Sequence, residues 1–87
     1  ARHPNVMMSA VVGRPDPVMG EVGRAYIIPK PGAAITPDEI KAFLADKLAR
    51  YKIPEDIIFR NNLPLTPVGK VKKLDLYEEI SREYRMK

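Results

Sequence analysis

The chain has 87 residues, 45% of them hydrophobic and 30% charged, which describes one small globular domain with a modest core rather than a disordered segment. It has no cysteine, which excludes disulfide staples and thiolate metal sites and suits a reducing compartment, so a cytoplasmic location is expected. The net charge of +4 favours anionic partners such as nucleotides, phosphates, CoA-like ligands or nucleic acid; no apolar run approaches the roughly 18 residues of a membrane span, and the first residues do not resemble a signal peptide.

In chain order, Val6 to Val12 is an apolar, β-compatible run expected to form a strand that stops at Gly13. His3, the single histidine, reads as a solvated side chain near the terminus. Residues 13–21, with two prolines and two glycines, read as a loop. Residues 21–29 read as a second strand whose end, Ala25-Tyr26-Ile27-Ile28, is continuously apolar. The clearest local signal follows. Thr36 stands as N-cap, Pro37 at the first helical position and Glu39 three residues after the cap, the pattern of a capping box. Ile40, Phe43, Leu44 and Leu48 recur at helical spacing. Asp38 and Glu39 suit the positive end of the helix dipole; Lys47, Arg50 and Lys52 suit the other. Pro54 stops the run, and the helix is expected over 36–50. Residues 55–61, around Ile57, Ile58 and Phe59, predict a third strand. A second helix is expected over 75–85, with Asp75 as its cap and Leu76, Tyr77, Ile80 and Tyr84 as its apolar stripe. Strand, strand, helix, strand, loop, helix is a small α+β domain, a three-stranded sheet packed by helices.

The loop before the last helix, Pro64-Leu65-Thr66-Pro67-Val68-Gly69-Lys70-Val71, carries the chemical interest. It is not a Walker A phosphate loop, which needs glycine where Pro64 stands and Ser or Thr where Val71 stands. Pro64 and Pro67 fix φ and stiffen the free loop. Gly69 permits a tight, left-handed backbone just before Lys70. Such a loop can aim one lysine, a compact point charge with three donors, at negative charge developing on transferred oxygens. On the residues alone, an ordinary strand-to-helix connection with solvated lysines is the favoured reading of this stretch.

Residues 64–76 resemble the final signature of the adenylate-forming enzymes, the superfamily of AMP-forming acyl-CoA synthetases, peptide-synthetase adenylation domains and luciferases. The matching residues are Pro64, Thr66, Gly69, Lys70, Val71, Lys73 and Leu76. The likeness extends over nearly the whole chain. His3-Pro4 and the strand after it, the Gly-x-Pro-Asp of residues 13–16, Gly20-Glu21, the Ala25–Gly32 strand and turn, and Tyr51-Lys52-x-Pro54 are similar to family segments in the same order. Lys73 departs mildly, since many members have arginine there, and a lysine keeps the charge without the bidentate fork.

The resemblance implies that residues 1–87 are the mobile C-terminal domain of an AMP-forming carboxylic acid–CoA ligase, a fragment without its large N-terminal domain. A start at Ala1 that runs almost directly into an apolar strand agrees. It implies that Lys70 bridges the substrate carboxylate and the phosphate and ribose oxygens while acyl-adenylate forms, with Gly69, Thr66 and Pro64 supporting its loop. ATP and Mg²⁺ would be held mainly by the N-terminal domain, CoA would be co-substrate, and the fragment alone would be inactive. A carrier-protein-loading adenylation domain is the alternative within the family. Outside it stand a basic nucleic-acid-binding module built on Lys70, Lys72 and Lys73, and a non-catalytic interaction domain. The nucleic-acid reading lacks a stacking platform, because Phe43 and Phe59 fall on apolar stripes.

Overall fold

The computed structural model describes residues 3–47 and 53–85. Five elements follow one another: β1 (Val6–Asp16), β2 (Gly20–Pro29), α1 (Pro37–Ala45), β3 (Asp56–Phe59) and α2 (Lys73–Arg85). The sheet order is β1-β2-β3. β1 and β2 pair antiparallel, and β2 and β3 pair parallel through the α1 crossover. This is the expected α+β order with a three-stranded sheet and two helices.

The helices lie on opposite faces of the sheet. Ala10, Val12, Tyr26 and Ile28 form one core with Leu63, Leu76 and Ile80, the last two from α2. Val6, Ala25 and Ile27 form the other with Ile40 of α1. Alternate residues of β2 therefore enter different cores, which is why its end is apolar without alternation: a central strand covered on both faces needs no polar side. Val6 and Met8, two residues apart, serve opposite faces. A register shift between them inserts the extra residue that reverses the alternation.

The stretch 13–21, expected as a loop, is instead the tip of a long hairpin. β1 continues through Gly13 to Asp16, Pro15 pairs with Glu21, and only residues 17–19 turn. Pro15 is tolerated because β1 is an edge strand. The Asp16 carboxylate accepts the N–H groups of Met19 (2.8 Å) and Val18 (3.1 Å), and these bonds hold it below the usual carboxylate range.

α1 begins as expected. Thr36 has extended backbone, its hydroxyl accepts the Glu39 N–H at 3.2 Å, and Pro37 opens the helix. The helix ends at Ala45, five residues before the expected boundary; Leu48, Arg50, Tyr51 and Lys52 lie outside the described residues. α2 begins two residues earlier than expected, so Asp75 sits in its first turn and is not its cap. His3 is not simply solvated. Its Nδ1 accepts the Asn5 N–H at 3.1 Å, and its ring meets Phe43 edge-on at 5.1 Å.

Candidate functional site: the Gly69-Lys70 hairpin

The loop from β3 to α2 folds back on itself. Leu65 and Val71 form an antiparallel bridge, flanked by Thr66 N–H to Lys70 C=O (2.7 Å) and Lys72 N–H to Pro64 C=O (2.8 Å). The Gly69 N–H closes the turn on the Thr66 C=O at 2.9 Å, and the Lys70 N–H donates to the Thr66 hydroxyl at 3.2 Å. Pro67, Val68 and Gly69 are thus a three-residue hairpin loop whose last position is left-handed: Gly69 has φ +85°. The sequence dictates this locally. Proline suits the first turn position, glycine the left-handed one, and threonine supplies an extra acceptor.

All four expected site residues meet in this hairpin. Pro64 accepts from Lys72, Thr66 takes part in three of the bonds, Gly69 makes the reversal, and Lys70 follows at once. The register also sets where Lys70 points. Val71 packs against the α2-side core, and neighbouring residues of an extended segment project to opposite sides. Lys70 therefore projects away from its own domain. It is exposed, and among the described residues no carboxylate pairs with its ammonium group. A cation held by a stiff hairpin and facing outward can meet an anion on another body.

Lys73, where the resemblance expects arginine, is the first residue of α2. It is exposed and has no carboxylate partner among the described residues. The main ion-pair network lies elsewhere, among residues that the sequence did not disclose as partners. The Asp56 carboxylate accepts from the Arg14 guanidinium through both Nε and Nη2 and from Arg24 Nε at 3.0 Å. Arg24 also reaches Glu83 of α2 at 3.2 Å. The Arg14 hydrogen bonds, then those of Arg24, hold Asp56 below the usual carboxylate range against its partial burial. Arg60 pairs with Glu79 at 2.8 Å, a second tie between the sheet side and α2. The Tyr77 hydroxyl accepts the Gly13 N–H at 3.4 Å. These partners lie 19 to 64 residues apart in sequence, so no local spacing announces them. The network and these ties brace the helix that follows the Lys70 hairpin.

The sequence and the fold have counterparts in known proteins. Residues 1–70 match the family model described as AMP-binding enzyme C-terminal domain. A methyl-dioxo-octahydroindenyl-propanoyl:CoA ligase of Rhodococcus jostii is 48% identical over 79 residues, 91% of this chain and 15% of that protein. A human mitochondrial medium-chain acyl-CoA ligase is 43% identical over 84 residues, 97% of this chain and 14% of that protein. The crystal structure of Brucella canis acyl-CoA synthetase superposes with a TM-score of 0.87 at 34% identity, covering 94% of this chain and 16% of that one. The chain thus spans about one seventh of the length of the curated relatives it matches. With the fold and the matched residues in agreement, the chain belongs to the AMP-binding enzyme C-terminal domain family.

Proposed function

We propose that this chain is the mobile C-terminal domain of an ATP-dependent, AMP-forming carboxylic acid–CoA ligase, and that Lys70 is its catalytic residue. The observation that carries the reading is the hairpin: a rigid turn presents one unpaired ammonium group outward, in a chain whose relatives are named as acyl-CoA ligases and synthetases. Such a residue completes a site on another body, here the protein's own large N-terminal domain.

In the first half-reaction a carboxylate oxygen attacks the α-phosphorus of ATP, acyl-adenylate forms and pyrophosphate leaves. Two anions must approach, and Lys70 placed between them stabilises the charge that develops. In the second half-reaction the thiol sulfur of CoA attacks the acyl carbonyl and AMP leaves with the bonding electrons. Rotation of this domain removes Lys70 between the two steps. Gly69, Thr66 and Pro64 position the lysine rather than touch substrate. The Mg²⁺ that accompanies ATP would be held mainly by the N-terminal domain, as the family resemblance implies. The 87 residues alone are inactive on this reading, and the intact protein works in the cytoplasm. No described helix is long and apolar enough to cross a membrane, while the human relative is named as mitochondrial.

The reading is tested by product analysis of the intact protein with ATP, CoA and a panel of carboxylic acids. Acid-dependent release of AMP and pyrophosphate with CoA thioester is expected. Formation of ADP and phosphate, or ATP cleavage indifferent to acid, contradicts it. Transfer of the acyl group to a carrier protein instead of CoA moves the assignment to the carrier-loading branch of the family.

A further inference from the structure

The bridge that aims Lys70 also aims a second lysine. Pro64 and Lys72 are joined by a hydrogen bond on one side of the Leu65–Val71 pair, and Thr66 and Lys70 on the other. Residues 70–72 are therefore extended. Val71 faces the core, so Lys70 and Lys72 project from the same, outward side. Two residues apart on one strand face, their Cα atoms lie roughly 7 Å from each other. Two lysine side chains at that spacing can converge on neighbouring phosphate groups.

Lys72 is not used by the fold in any way that would explain it. Its side chain is 52% exposed, and its one carboxylate partner, Asp75, is 3.8 Å away on the first turn of α2. A contact that long and that exposed contributes little to stability. Lys72 and Lys73 also precede and open a helix, where positive charge opposes the helix dipole. Helix stability would favour acidic residues there. The placement makes sense if an anion is present at least part of the time.

Resting on the reading of Lys70 given above, we propose that Lys72 is a second anion-binding residue of the same hairpin. It takes one phosphate of a nucleotide diphosphate group. The Asp75 carboxylate holds the Lys72 ammonium group loosely in place until the phosphate replaces it. The diphosphate has two possible sources in the reaction, the polyphosphate of ATP and the diphosphate of CoA. The role is positioning and binding, not chemistry at the reacting atoms.

The test uses the intact protein with Lys72→Ala, Lys72→Glu and Lys72→Arg, and measures kcat and KM for ATP and for CoA at several salt concentrations. Loss of one charge-assisted hydrogen bond predicts roughly a tenfold rise in one of the two KM values for Lys72→Ala. The rise is larger for Lys72→Glu and absent for Lys72→Arg, with kcat within about twofold of the unmodified protein. The salt dependence of that KM also weakens when the lysine is removed, as it does when any phosphate contact is lost. A rise confined to ATP identifies the nucleoside triphosphate, and a rise confined to CoA identifies the CoA diphosphate. Unchanged KM values for both, or a fall in kcat alone, overturn the proposal. The underlying reading fails separately, through absence of AMP formation by the unmodified protein.

Discussion

Lys70 owes its direction to its two chain neighbours. Gly69 reverses the chain at φ +85°, and Val71 anchors the returning strand in the core. A Cβ added at Gly69 meets nothing within 4 Å, so Gly69→Ala introduces no clash. Its cost is conformational, about 1 kcal/mol for an L-residue held in the left-handed region. Chemical denaturation of the variant should show that small loss. Adenylation should fall by more than global stability suggests, because the strain is relieved where Lys70 is aimed. An unaltered adenylation rate in Gly69→Ala would detach the turn from the chemistry. The turn residues were legible because their signal is local: Thr66, Pro67, Gly69 and Lys70 fall within five positions. That the loop could aim Lys70 away from the core was legible too; the register between Leu65 and Val71 that sets its facing was not, since no propensity specifies it.

Between elements, the same contrast recurs. α1 was readable at its start, where Thr36, Pro37 and Glu39 act within one turn, and less so at its end. The hairpin at residues 13–21 reads as a loop because Pro15 and Gly13 count as breakers locally, whereas on an edge strand both can pair. The ion network was invisible for the same reason in stronger form: Arg14, Arg24, Asp56 and Glu83 come from β1, β2, β3 and α2. Asp56, with its side chain 22% exposed, is the shared acceptor. Asp56→Asn leaves two guanidinium groups short of a partner, and a loss of about 1–3 kcal/mol is expected. The pH dependence has a defined sign. The folded-state pKa of Asp56 is depressed, so its contribution is complete above the unfolded value near 3.9 and is lost as pH falls through the lower folded value. Urea unfolding should therefore separate the native protein from Asp56→Asn at neutral pH and bring the two together in strong acid. A gap that stays constant across that range would exclude ionisation of Asp56 as the cause.

For the whole molecule, the sheet is the common support and the Lys70 hairpin projects outward from it. Helices on both faces bury the sheet, and the ion network ties α2 back to all three strands. A domain braced in this way can move as a unit and carry Lys70 with it. The fold class was legible in the order of elements, and the family in the succession of matched segments. The acid that the proposed ligase would activate was not, because this chain spans only about one seventh of its curated relatives. The central claim is that one lysine serves one half-reaction. It is tested most directly by Lys70→Ala in the intact protein, with the two half-reactions measured apart: acyl-adenylate from acid and ATP, then thioester from supplied acyl-adenylate and CoA. The account predicts that adenylation falls by roughly 10²–10³-fold while thioester formation persists near its original rate. Equal rates for variant and parent in both assays would contradict it.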